Sequence, residues 1–163
     1  MKKNLLLTLT LCLLAQWSVA QAPKWVEKAK RAVFSVVTYD ESDKILNTGN
    51  GFFVTEDGIA LSDYSLFKGA QRAVVINSEG EQMPVEVIMG ANDMYDVVKF
   101  RVAISGKKVP ALVVSPTAPT VGTSVYLLPY STQKDRSYTA GQVKEESKVE
   151  GCLLYTSPSP RDS

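Results

Sequence analysis

Apolar and polar residues alternate over short segments along most of the chain, and turn-forming residues separate these segments at regular intervals. Such a pattern predicts β-strands that form an all-β barrel or sandwich. The predicted strands lie at 33–39, 51–55, 59–61, 72–76, 82–89, 96–102, 112–114, 124–128 and 138–144. The clearest turn signal is Asp57-Gly58, which predicts a hairpin between the second and third of these segments.

The segment before the first strand has the periodicity of a helix. Between Ala22 and Ala32 the apolar residues Trp25, Val26 and Ala29 fall on one side, and charged residues fall between them. This spacing predicts a short amphipathic helix. We expect its tryptophan to pack on the barrel rather than on a membrane surface.

The two ends of the chain differ in composition from the patterned part. Residues 1–20 combine two lysines, an apolar run and small residues before Ala20. This combination predicts a signal peptide and export, with a bacterial periplasm as the favoured location and the cell exterior as the alternative. A lipid anchor on Cys12 is disfavoured because Leu11 stands where a small residue is needed. Residues 152–163 are similar to a translated sequencing adaptor, so we expect a non-native tail and a natural chain that continues past Gly151. A natural disordered Ser/Pro tail is the alternative.

Composition argues against several classes of site. The chain has 18 basic and 17 acidic residues, so its charge gives no argument for binding nucleic acid or an anionic membrane surface. It has no histidine, and its two cysteines lie in the end segments, so the patterned part has no Cys/His metal cluster and no thiol nucleophile. We therefore expect no cofactor, no metal and no membrane span.

One segment carries a motif. Residues 50–70 read N-G-F-F-V-T-E-D-G-I-A-L-S-D-Y-S-L-F-K-G-A. This is similar to the first-barrel signature of HtrA-type, trypsin-like serine proteases, in which the catalytic histidine is the seventh residue after the turn glycine. Gly58 is that glycine here, and the seventh residue after it is Ser65. The resemblance implies a trypsin-like double β-barrel, with the first barrel and the start of the second in this chain.

Other segments extend this resemblance over roughly 32–143. Residues 95–102 read Y-D-V-V-K-F-R-V, similar to the family strand that carries the catalytic aspartate, and Asp96 falls on that position. Residues 121–126 and 139–143 resemble the opening strands of the second barrel. The family's G-N-S-G-G nucleophile motif does not occur in the chain and would follow Gly151. The predicted organisation is therefore signal peptide 1–20, helix 21–31, truncated peptidase domain 32–151 and tail 152–163.

The serine at the histidine position changes the expected chemistry. A triad needs an imidazole that acts as general base and then as general acid near neutral pH. A serine hydroxyl has too high a pKa for this role. We expect Ser65 to hydrogen bond to Asp96, which is either the retained triad aspartate or a structural acceptor. A dyad of Ser65 with Lys68 is disfavoured, because such a lysine must be buried to lose its proton.

These predictions favour a secreted serine protease homologue that is catalytically inactive and binds a polypeptide substrate or protein partner. They make no prediction of its oligomeric state. One alternative is an active serine endopeptidase with an unrecognised base and a nucleophile past the end of the chain. Another is a structural module fused to a downstream interaction domain. A fragment ending near Gly151 is expected to aggregate, because unpaired strands leave an open sheet edge.

Overall fold

The computed structural model describes residues 23–131, 138–145, 147–149 and 152–154, the last two ranges by their backbone alone. The predicted signal peptide lies outside these residues, as does the tail from 155 onward. The elements are α1 (Lys24–Lys30), β1 (Val33–Tyr39), β2 (Ile45–Phe53), β3 (Ile59–Asp63), a 3₁₀ turn (Tyr64–Phe67), β4 (Arg72–Ile76), β5 (Gln82–Asn92), β6 (Val97–Val102), β7 (Ser124–Leu127), β8 (Thr139–Gln142), β9 (Ser147–Val149) and β10 (Cys152–Leu154).

Strands β1 to β6 form a closed barrel in the order β1-β2-β3-β6-β5-β4, and β4 pairs with β1 to close it. All neighbouring strands are antiparallel. Closure gives the strands of a small sheet partners on both sides, which open sheets lack at their edges. The predicted all-β barrel is therefore confirmed.

The barrel interior is filled by side chains that alternate along the strands. In β6, Val98, Phe100 and Val102 are buried, while the residues between them are more exposed. The ring of Phe34 lies 4.7 Å from that of Phe53 and 6.3 Å from that of Phe100, measured between centroids. Burying a phenylalanine side chain stabilises a fold by about 1.5–3 kcal/mol. This aromatic centre is thus a large part of the stability of the barrel.

The hairpin predicted at Asp57-Gly58 is present between β2 and β3. Gly58 has a φ of 93°, a left-handed conformation that glycine adopts without a steric penalty. A β-carbon at this position would also lie 2.8 Å from the carbonyl oxygen of Val102. The turn needs glycine both for its backbone conformation and for the close approach of β6.

Several predicted bounds agree with the structure and others are shifted. Strands β1 and β4 have the predicted bounds, but β2 begins at Ile45 rather than Gly51, and β5 continues to Asn92. The added residues are mostly exposed, and apolar and polar residue types do not alternate among them. They are strands because a neighbouring strand supplies their hydrogen bonds, which a local pattern does not reveal.

The predicted strand at 112–114 is wrong. No strand occurs between β6 and β7, and Val113 is 96% exposed. The amide of Leu112 donates to the carbonyl of Phe53 at 2.8 Å, which fixes this connector to the end of β2 without a ladder. Prolines at 110, 116 and 119 lack the amide hydrogen that a continuous ladder requires.

After the connector, the described strands form two separate hairpins. Strand β7 pairs with β8, and β9 pairs with β10. Strands β7 and β8 are shorter than predicted, and β9 and β10 were not predicted at all. Strand β10 lies in the segment that resembles an adaptor. The non-native origin of that segment stays a prediction.

Helix α1 is shorter than the predicted 22–32 segment and packs differently. Val26 and Ala29 are buried as expected, but Trp25 is half-exposed. Its ring meets Tyr126 of β7 edge-to-face, with 4.9 Å between ring centroids. Trp25 therefore packs on the segment predicted to open the second barrel, and the helix joins the six-stranded barrel to the β7–β8 hairpin.

Candidate functional site

The fold brings Ser65 and Asp96 together although 31 positions separate them in sequence. Ser65 lies in the 3₁₀ turn directly after β3, and Asp96 lies in the turn directly before β6. Strands β3 and β6 are neighbours, and Asp63 pairs with Val97. The end of one strand and the start of the next therefore place the two side chains at the same end of the barrel.

The carboxylate of Asp96 receives both hydrogen-bond donors of Ser65. The Ser65 amide donates to Oδ1 at 2.5 Å, and the Ser65 hydroxyl donates to Oδ2 at 2.8 Å. The amide of Tyr64 donates to the main-chain carbonyl of Asp96 at 3.1 Å. Three hydrogen bonds therefore join the 3₁₀ turn to the turn before β6.

The backbone of Asp96 is left-handed, with a φ of 50°. Such a conformation costs an L-residue roughly 1–2 kcal/mol, although aspartate and asparagine adopt it more readily than most. The preceding turn is held by Asn92, whose side-chain oxygen accepts from the Tyr95 amide at 3.1 Å. The hydrogen bonds to Ser65 and Tyr64 offset the cost of this conformation.

A second group of contacts, which the sequence did not predict, holds the 3₁₀ turn from inside the barrel. Thr38 is fully buried, and its hydroxyl lies 2.9 Å from the Leu66 carbonyl oxygen and 3.3 Å from that of Asn47. The hydroxyl has one proton, so the shorter contact is its donor bond, and it accepts from the Asn47 amide at 3.2 Å. The side-chain amide of Asn47 also donates to the Leu66 carbonyl, at 3.2 Å.

Glycine at position 49 completes this support. A β-carbon there would overlap the side chain of Leu66, which packs against the core. The available sequence signal was a threonine at an inward position of an apolar strand, since a buried hydroxyl requires a partner. Thr38, Asn47 and Gly49 thus fix the residue that follows Ser65.

Lys68 does not contact Ser65 in a way that would activate it. Its ammonium group instead forms an ion pair with Asp93 and lies 5.3 Å from the centroid of the Tyr64 ring. The hydrogen bond to Asp93 raises the pKa of Lys68 above its ordinary value. The lysine is therefore protonated near neutral pH, and a protonated lysine cannot act as the base of a Ser–Lys dyad.

The arrangement of Ser65 and Asp96 can hold a turn and present polar atoms to solvent. Ser65 is exposed and Asp96 is half-buried. The pair lacks the imidazole that moves a proton between nucleophile and leaving group in a triad.

In the described part of the chain, no group of three or more Asp, Glu, His or Cys residues could hold a metal ion. No helix among the described residues is long and apolar enough to cross a membrane.

Comparison with protein families gives a match over most of the patterned part of the chain. A model of the trypsin-like peptidase domain matches residues 49–162, which is more than half of the chain. The matched range contains both Ser65 and Asp96, and it extends past Gly151 into the segment that resembles an adaptor. No curated protein matches the chain.

Proposed function

Because the chain belongs to the trypsin-like peptidase domain family, we propose that it is an exported, HtrA-like member without peptidase activity, and that it acts by binding a peptide or protein. The observation that carries this proposal is the contact between Ser65 and Asp96 in a chain without histidine. The hydroxyl occupies the hydrogen-bonding capacity that an imidazole would use in a triad. Without peptidase activity, the domain would act through a surface that binds a polypeptide, for example at the edge of a sheet.

The small rate that remains when a triad residue is missing supports the proposed loss of peptidase activity. When a triad member is removed, the remaining rate is typically about 10³–10⁴-fold over water, and it comes from the oxyanion hole and substrate binding. A complete triad gives many orders of magnitude more. The hydrogen-bond geometry of Ser65 and Asp96 provides no replacement base.

The alternative of an active serine endopeptidase requires another base near Ser65. Lys68 is the nearest basic candidate in sequence, and its ion pair with Asp93 keeps it protonated. The alternative of a structural module fused to a downstream domain makes no demand on this site. No observation favours either alternative over the binding proposal.

The proposal is tested by incubating the protein encoded by the full source gene, which would include any nucleophile past Gly151, with casein and measuring released peptides. We expect no hydrolysis above a protein-free control, because the chain has no imidazole to act as base. Hydrolysis that a fluorophosphonate blocks would contradict the proposal and favour the endopeptidase. A casein-cleaving contaminant is excluded by repeating the assay with the Asp96→Asn variant.

A Ser65→His variant tests whether the site keeps the geometry of a triad. The chain has no other histidine, so NMR reports a single imidazole. We expect its pKa to rise above the ordinary value of about 6.5, because the carboxylate of Asp96 stabilises imidazolium. The Ser65→His/Asp96→Asn double variant should lose this increase. An equal pKa in the two variants would show that Asp96 does not face position 65.

A further inference from the structure

The barrel closes between β4 and β5 along only part of the length of these strands. The two strands pair only where Val74–Ile76 lie opposite Gln82–Pro84. Arg72 and Ala73 pair with β1 on their other side, and β5 from Val85 onward pairs with β6 alone. We call the opening between residues 72–73 and residues 85–91 the seam.

A cavity of about 430 Å³ lies at the seam. Apolar and aromatic side chains form most of its lining, among them Tyr64, Phe67, Val85, Ile88 and Val98. Tyr64 and Phe67 belong to the 3₁₀ turn that carries Ser65. The seam is thus next to the candidate site but separate from the Ser65–Asp96 contact.

The β5 side of the seam is a strand edge without a strand partner among the described residues. Pro84 marks the point where pairing with β4 ends, and proline in sheets is confined to edges, strand starts and bulges. Beyond it, Val87 is 51% exposed and Ile88 is 45% exposed. An unpaired edge beside apolar side chains is the surface to which an extended peptide adds as a further strand.

Two register shifts limit the length of such a peptide. The pairing of β5 with β6 is irregular between Val85 and Val87, and again between Ile88 and Gly90. A bulge bends the strand and interrupts its regular hydrogen bonding. The edge therefore fits a short extended segment better than a long strand.

Charge at the seam indicates which peptide fits. The guanidinium of Arg72 is already bound, to Asp43 at 2.6 Å and over the Tyr39 ring at 3.5 Å. Glu86 lines the cavity, and it has no ion-pair partner in the described part of the chain. The unneutralised charge at the seam is therefore negative, which favours a basic residue in the partner.

We propose that the seam binds a short extended polypeptide segment that alternates apolar and polar residues and includes a lysine or arginine facing Glu86. The peptide adds to the edge of β5 through main-chain hydrogen bonds and places apolar side chains in the cavity. This inference rests on the proposed function in taking a polypeptide as the partner. It goes beyond the proposed function because it places the binding surface on the first barrel, away from the open edges of the β7–β8 hairpin.

The probe is a fluorescein-labelled peptide of sequence Val-Thr-Val-Lys-Val-Thr, titrated with the full chain and followed by fluorescence anisotropy. We expect saturable binding, and a loss of about tenfold or more when alternate backbone nitrogens of the peptide are methylated, because several hydrogen bonds are then removed. Unchanged affinity for the methylated peptide would overturn strand addition.

Variants of the chain locate the surface. Glu86→Lys should weaken binding about threefold at low salt, and Val87→Asp should weaken it further, because it places a charge beside the apolar cavity. The matched controls are Glu27→Lys on helix α1, which makes the same charge change elsewhere, and Val125→Asp on β7. Both should bind as the wild type does.

The outcomes separate this inference from the proposed function. If only Val125→Asp weakens binding, the seam proposal is wrong and the binding function stands. Absence of peptide binding by the wild type would also overturn the seam proposal. If the wild type cleaves casein while the seam variants still lose peptide affinity, the seam proposal holds and the proposed function fails.

Discussion

The six-stranded barrel and the segment that follows it differ in how their strands are paired and packed. Each barrel strand has a neighbour on both sides, and the core contains fully buried residues such as Phe34, Val75 and Phe100. In the second region, β7 and β8 pair only with each other, and neither contains a buried residue. One region is stabilised by its own core, whereas the other depends on contacts with the first.

Among the described residues, specific contacts join the second region and its connector to the barrel. They include the amide of Leu112 on the Phe53 carbonyl at 2.8 Å and the Tyr130 hydroxyl on the Asn77 carbonyl at 3.3 Å. The edge-to-face pair of Trp25 and Tyr126 adds a third. A two-stranded sheet is marginally stable at best on its own. Stability is therefore concentrated in the barrel, so substitutions in the two regions should have very unequal effects.

The largest expected effect comes from the barrel core. Phe100 is fully buried, and its ring lies 5.1 Å from that of Phe67, measured between centroids. Phe100→Ala should lower the free energy of unfolding by about 3–5 kcal/mol, because it removes buried apolar surface and leaves a cavity. The measurement is urea unfolding followed by far-UV circular dichroism.

The matched change in the second region is Leu127→Ala. Leu127 lies in β7 and is 68% exposed, so its truncation should change the free energy of unfolding by about 0.5 kcal/mol or less. Equal losses in the two variants would show that the hairpin is as well packed as the barrel. The comparison between the regions would then fail.

An intermediate effect is expected where the barrel supports the candidate site. Thr38→Val keeps the shape of the side chain but leaves the Asn47 amide and the Leu66 carbonyl with fewer partners. Leaving buried polar groups unsatisfied costs about 1–3 kcal/mol, which thermal unfolding can measure. Thr38→Ser retains the hydroxyl and should keep most of the stability.

This variant pair also reports on the site itself. In the Ser65→His background, Thr38→Val should reduce the increase in the imidazole pKa, because the 3₁₀ turn is less firmly held against Asp96. Thr38→Ser should preserve it. If Thr38→Val lowers stability but leaves the imidazole pKa unchanged, the threonine supports the barrel without positioning the turn.

The same division between local and long-range contacts explains what the sequence could predict. Strands β1 and β4 and the turn at Gly58 were predicted with their bounds, because their signals are local alternation and a turn dipeptide. The proximity of Ser65 and Asp96 was predicted only through the family motif, since nothing local joins residues 31 positions apart. Their functional roles stay predictions.

The features that were missed depend on pairing between distant segments. The length of β5 follows from β6 beside it, and the failed strand at 112–114 lacks such a neighbour. The bond from Thr38 to Leu66 spans 28 positions, so the sequence shows a buried threonine without showing its partner. The seam likewise appears only when the registers of β4, β5 and β6 are known. Pro84 was its one visible sign.

The smallest expected effect lies at the junction of the two regions. Lys107, at the start of the connector, donates to Glu81 before β5 at 2.6 Å. This hydrogen bond holds the pKa of Glu81 below its ordinary value of 4.5. A carboxyl whose pKa is lower in the folded state contributes stability that is present above 4.5, and that stability is lost as the pH falls through the folded pKa. Both groups are exposed, so the contribution is small.

Lys107→Met should therefore return the Glu81 pKa to its ordinary range, as an NMR titration of the side-chain carboxyl would show. It should lower the melting temperature slightly at pH 7, and this difference should disappear as the pH falls through the folded pKa of Glu81 and the carboxyl becomes protonated in both proteins. A control is Lys108→Met, which removes the neighbouring ion pair with Glu56 and should leave the Glu81 titration as it is. Hydrogen exchange of the Lys107→Met variant tests whether the connector stabilises the second region. If amides of the β7–β8 hairpin then exchange faster while those of the barrel stay protected, this ion pair helps to hold the second region against the first.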